Sequence, residues 1–137
     1  MLLVHPGGPY WTRKDDGAWT IPKGEFDPAQ EEALAAAKRE FAEETGHTLE
    51  VALFELTPVR QNSGKTVHAW AGEGDWDTAQ LNSNTFEMEW SKGSGKVRTF
   101  PEVDQAAWFD VPTARIKLNR AQALFVDELV KILRITV

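Results

Sequence analysis

The stretch Arg39-Glu40-Phe41-Ala42-Glu43-Glu44-Thr45-Gly46 sets three glutamates at positions i, i+3 and i+4. On a helix that spacing projects all three carboxylates from one face. The flanks predict such a helix from about Glu31 to Thr45. Pro28 stands ahead of it with acids at its start, Leu34, Ala37 and Phe41 recur as a buried stripe, and Gly46 takes the C-cap position. Like charges three or four apart weaken a helix by about 0.2–0.5 kcal/mol per pair. Glu43 and Glu44 also sit near the C-terminal end, where the helix dipole disfavours anions. Helix stability alone does not select this pattern. A bound divalent cation removes the conflict, and a set of hard carboxylate oxygens suits Mg²⁺, with Mn²⁺ as a substitute, rather than zinc.

Outward from the helix, seven acids fall between Glu25 and Glu44 against only Lys38 and Arg39, so most of the net charge of −6 lies in one segment. An acidic chain is a poor partner for long nucleic acid, whose phosphates call for cations. The 137 residues, 42% apolar and 26% charged, fit a single domain over 1–137 with its own core. No cysteine is present, which excludes disulfides and thiolate chemistry. His5, His47 and His68 lie far apart, without zinc-ligand spacing. No apolar run approaches the ~18 residues that span a bilayer. Met1-Leu2-Leu3-Val4 is too short for a secretory leader, so a soluble cytoplasmic protein is expected.

The remaining elements follow from periodicity and turn signals. Leu2 to His5 reads as a short strand, Pro6 to Gly17 as a loop, and Trp19-Thr20-Ile21 as an extended piece ended by Pro22-Lys23-Gly24. Further strands are predicted over Val51 to Gln61, Thr66 to Gly72, Thr85 to Trp90 and Ala106 to Phe109, with Val67, Ala69 and Ala71 on one face. Ser91 to Arg98 reads as a basic, flexible loop, either a solvated hairpin connection or one able to close over a polyphosphate. Asn119 to Val137 reads as a closing amphipathic helix whose core side is Ala123, Phe125, Leu129, Ile132 and Leu133. Strands flanked by two helices predict an α/β (α+β) fold, a layered α/β/α sandwich with a mixed sheet. Most of the six tryptophans are expected in the core.

The stretch Gly24 to His47 resembles the Nudix box, written G-x5-E-x7-R-E-U-x-E-E-x-G-U with U apolar. Glu31 to Arg39 matches the E-x7-R spacing, and Arg39 to Gly46 matches R-E-U-x-E-E-x-G in full. Trp19-Thr20-Ile21-Pro22-Lys23-Gly24 resembles the W-x-x-P-K-G lead-in of that superfamily. The chain departs from the pattern in three ways. Six residues rather than five separate Gly24 from Glu31, His47 fills the last apolar position, and the first strand of the family is absent ahead of Leu2. Either the start is truncated, or that sheet position is empty or filled by a partner chain; the last alternative makes a homodimer one expectation.

The resemblance implies a Mg²⁺-dependent hydrolase that cuts a diphosphate linkage in a small nucleotide. The W-x-x-P-K-G lead-in favours a dinucleoside polyphosphate or a nucleoside triphosphate over nucleotide sugars. Carried over by position, Glu40, Glu43 and Glu44 are metal ligands, with the Gly24 carbonyl as a further one. Glu31 and Arg39 pair across about two turns and brace the loop. Glu102, six residues before Trp108, resembles the outside carboxylate of several members. Glu40 and Glu102 are the contenders for general base, and Glu44 completes the catalytic set. Glu87 and Glu89 alternate with Phe86 and Met88 and read as a solvated face. Lys23, Arg13 and Lys14 are the candidate cations for substrate phosphates, and Tyr10 or Trp11 for stacking on a base. A non-catalytic nucleotide-binding module is the alternative; such domains tend to lose the box glutamates that this chain keeps.

Overall fold

A computed structural model describes residues 1–23, 29, 31–60 and 62–133. Strand β1 (Leu2–Pro6) pairs antiparallel with β8 (Val103–Trp108), with a shift of register between His5 and Pro6. Successive side chains of β1 serve opposite faces, as a pleated strand requires. Leu3, fully buried, packs with Trp19, Ala114, Leu118 and Val126, whereas Val4 packs with Trp76, Val103 and Ala106. The Trp19–Ile21 segment lies along the other edge of β1. Thr20 and Val4 exchange both backbone hydrogen bonds at 2.9 Å, and Trp19 forms a parallel bridge with Leu118.

Helix α1 (Ala33–Thr45) starts two residues later than the sequence predicts, so Glu31 and Glu32 precede its first turn instead of occupying it. It ends where Gly46 adopts φ 78°, the left-handed geometry that glycine takes without a Cβ penalty. Leu34, Ala37 and Phe41 are only half-buried; the fully buried residues of the helix are Ala36 and Thr45.

The predicted strand over Val51 to Gln61 is instead two short ones, β2 (Phe54–Glu55) and β3 (Val59–Arg60). Pro58, which has no N–H to donate, interrupts them. Glu128 accepts from the Thr57 N–H and hydroxyl at 2.9 Å in place of a neighbouring strand. Gln61 lies outside the described residues. The second predicted strand likewise divides into β4 (Thr66–Val67) and β5 (Trp70–Ala71), antiparallel to β3 and β2 respectively. Val67, Ala69 and Ala71 do share the core face, packing with Leu56 and Phe125.

β6 (Thr85–Glu89) pairs with β7 (Val97–Pro101), a strand that the sequence reading misses because it assigns Val97 and Arg98 to a loop. Also unanticipated is α2 (Val111–Lys117), capped by Asp110, which accepts from Thr113 N at 2.9 Å. The closing helix resolves into a single 3₁₀ turn at Arg120–Gln122 followed by α3 (Ala123–Leu133). Its buried residues are Phe125 and Val126, while Ala123, Ile132 and Leu133 are exposed. Two tryptophans, Trp19 and Trp76, are buried; Trp90 and Trp108 are exposed and the other two half-buried. Ladders among the described residues are antiparallel, and parallel pairing enters only through the Trp19–Leu118 bridge. No described helix is long and apolar enough to cross a membrane.

Candidate functional site

Ala36, Glu40 and Glu44 recur every four residues along α1 and so share a face. Ala36 is buried, the Glu40 side chain is 13% exposed and that of Glu43 36%. The turn after Glu44 is fixed from within. Thr45, fully buried, donates its hydroxyl to the Phe41 carbonyl at 2.6 Å and accepts from His47 N at 3.1 Å. His47 stacks on Trp76 with centroids 5.6 Å apart, which gives a half-apolar ring a packing role at the last box position.

Arg39 gathers three acids. Its guanidinium donates to both Glu31 oxygens, at 2.8 and 2.9 Å, and to both Glu43 oxygens, at 3.1 and 3.0 Å; it also lies 3.0 Å from Glu40. The bidentate pairing with Glu31 closes the segment ahead of the helix onto its middle turn. It also holds the Glu31 carboxyl below its ordinary range. The Arg39 guanidinium is in turn held even more firmly charged than usual by Glu31 and Glu43.

Glu44 points elsewhere. Its carboxylate accepts from Lys23 N at 2.7 Å and lines a cavity of about 250 Å³ together with Lys23, Glu102, Trp11, Thr20 and Asn119. Burial, opposed by the Lys23 N–H and reinforced by Glu40 and Glu102, pushes the Glu44 carboxyl up to about 7. Burial also raises Glu40, against the pull of Arg39, and Glu43 and Glu102 add to the rise. Glu40, Glu44 and Glu102 thus form one electrostatic cluster whose negative charge the surrounding protein only partly compensates.

The other predicted residues divide between two places. Lys23 and Trp11 join Glu44 and Glu102 at the cavity. Arg13 and Lys14 line a second, more open cavity of about 640 Å³ beside His5, Trp19 and Asp104. Tyr10 is 66% exposed and carries the Lys14 ammonium 3.6 Å above its ring, so that cation is engaged with an aromatic face. His5 ties the two ends of this region, with Nδ1 at 2.7 Å from Asp104 and Nε2 at 2.6 Å from the Lys14 carbonyl oxygen. Glu87 and Glu89 are exposed, with Phe86 and Met88 half-buried between them. Gly24 lies outside the described residues.

The three box glutamates therefore do not converge on one point. Among the described residues no three acidic or histidine side chains form a ready-made cation cage, and Glu43 is turned to Arg39. The donor chemistry nevertheless fits a hard divalent cation. Glu102 raises the cost of charging two partly buried carboxylates, Glu40 and Glu44, and Glu40 adds to it at Glu44; a cation beside them would relieve both. Thr20 and Asn119 also line the cavity, although neither is among the site residues predicted from the sequence. Asn119 carried a readable signal, an Asn directly before a helical pattern, and its side chain does cap that turn by accepting from Ala121 N at 2.9 Å.

No solved structure matches the chain. The family model described as the NUDIX domain matches residues 1–129. That match runs from β1 through α1, Glu102 and β8 into α3, and the chain accordingly belongs to the Nudix family.

Proposed function

We propose that the protein is a Mg²⁺-dependent pyrophosphohydrolase that cleaves a diphosphate linkage in a dinucleoside polyphosphate or nucleoside triphosphate. Membership of the Nudix family supports a hydrolase acting on nucleoside diphosphate derivatives. The observation that carries the finer reading is the cavity in which Glu44, Glu102 and Lys23 meet. An acidic pair beside a lysine is suited to a polyanion that arrives with a cation. Glu40 and Glu44 would hold that cation with Glu102 as a third contributor, and Glu43 would join on leaving Arg39. The cation supplies charge neutralisation at the phosphate oxygens. Lys23 binds a further phosphate, and Trp11 offers a ring against which a base can stack. Glu102, which lines the cavity from between β7 and β8 rather than from the helix, would take the proton of the attacking water. The proposed whole is an α/β/α sandwich. The Leu3 face of β1 meets α2 and α3, and the Val4 face meets Trp76, on which His47 at the end of α1 stacks.

The test is turnover of a nucleotide panel with and without Mg²⁺. The wild type should release a nucleoside monophosphate product only with the cation. Glu44→Gln and Glu102→Gln should each lower kcat by about 100-fold or more, the scale on which catalytic carboxylates and general bases contribute. A wild type that binds no Mn²⁺ and turns over nothing would remove the enzymatic reading in favour of a nucleotide-binding module.

A further inference from the structure

The segment that carries Lys23 is clamped from both sides, and one clamp is a side chain. Thr20 gives both its backbone groups to Val4 of β1. Trp19 turns both of its own the other way, accepting from Asn119 N at 2.7 Å and donating to the Lys117 carbonyl at 3.0 Å. By strand alternation the Ile21 N–H should find its partner on that same side. There the chain has already turned into the 3₁₀ coil at Arg120–Gln122, which withdraws the main-chain acceptor. The Gln122 side chain takes its place, accepting from Ile21 N at 2.9 Å, and Gln122 is only 3% exposed.

Beyond Ile21 the path to the site is short and stiff. Pro22 has no N–H and a fixed φ. The next donor, Lys23 N, reaches Glu44 at 2.7 Å. We propose that Gln122 is a positioning residue for Glu44. Its buried carboxamide sets the height of Ile21, and through Pro22 it aims the Lys23 N–H at the Glu44 carboxylate. This rests on Glu44 being functional, but the link between Gln122 and Lys23 stands or falls without it.

Gln122→Met keeps the bulk of the side chain and removes the acceptor. Hydrogen exchange of the Lys23 amide, followed by NMR without metal, should quicken about tenfold, the scale of one buried hydrogen bond left unmade. Mn²⁺ binding should weaken and kcat fall, each by about threefold or more, while KM stays within about twofold. Val126→Ala, in the same helical region and equally buried, is the control. It should lower Tm and leave the Lys23 amide, Mn²⁺ binding and the kcat-to-KM split as in the wild type. If Gln122→Met does not fold, Gln122→Asn takes the same measurements, since it keeps a carboxamide and draws it back by one methylene. Unchanged Lys23 exchange in the folded variant, or equal quickening in Val126→Ala, overturns the proposal. A wild type that binds no Mn²⁺ would instead remove the enzymatic reading, with the exchange result still deciding the role of Gln122.

Discussion

Glu44 is a partly buried carboxylate at the end of a helix with too little positive charge around it, and its proton shows the consequence. The folded chain holds that proton to about pH 7, whereas an ordinary glutamate releases it near 4.5. Between those values the folded state binds more protons than the unfolded one, so metal-free stability falls as pH rises from about 4.5 to 7 and levels off above. The loss amounts to on the order of 2–3 kcal/mol. Thermal melts of the metal-free protein should follow that fall, and Glu44→Gln should flatten it. At pH 8 the variant should melt higher than the wild type by roughly 5 °C or more. Saturating Mg²⁺ should raise the wild type and leave the variant nearly where it was. A wild type whose melting point is level across this range contradicts the buried-charge account. The spacing of Glu40, Glu43 and Glu44 was readable in the chain; the hold of Arg39 on Glu43 was not. An Arg four residues before a Glu is compatible with pairing, but so is a solvated side chain, and only the placement of Glu31 alongside turns Arg39 inward.

At the scale of elements, α1 is defined by its end. Gly46 not only takes a left-handed φ but faces the chain closely, since a Cβ there would come within 2.7 Å of the Asn82 carbonyl oxygen. Gly46→Ala therefore meets two obstacles, strain and a clash with backbone, and should cost about 1–3 kcal/mol in a urea titration. A cost below half a kilocalorie would mean that the 82–84 segment yields freely. Elements with a strong local signature were legible. Gly46 and the helical spacing marked α1, and the alternation of Phe86, Glu87, Met88 and Glu89 marked β6. The strands that failed were those whose partners are set by tertiary contact. Thr57 and Pro58 divide one predicted strand because Glu128, distant in sequence, is there to satisfy Thr57. β7 was hidden because Val97 follows a run of Gly, Ser and Lys, and its partner strand alone makes it extended. The missed α2 had its signal in plain view, an Asp110 cap with Pro112 in the first turn.

At the scale of the molecule, the described residues form three buried core clusters, and Ile21 packs against two of them. One is built on Leu3, Trp19, Leu118 and Val126, the other on Leu56, Ala69 and Phe125. Ile21→Ala should thus loosen both together, at a cost of about 2–4 kcal/mol. The loss should appear as one cooperative transition at lower denaturant, with the slope unchanged. Two separated transitions would show that the clusters melt independently. Several tryptophans expected in the core lie at its margin instead. A large ring satisfies burial from one side only, as Trp108 does by giving its indole N–H to the Trp76 carbonyl at 2.8 Å while remaining 46% exposed.

Trp11 stands apart from the other rings, because of the six tryptophans it alone is among the residues that line the cavity shared by Glu44, Glu102 and Lys23. Its edge-on contact with Tyr10, at 5.1 Å, puts a second chromophore beside it. The pocket thereby carries its own optical reporter. Whatever enters it alters the polarity and quenching around one indole, over a background emitted by five that are set elsewhere.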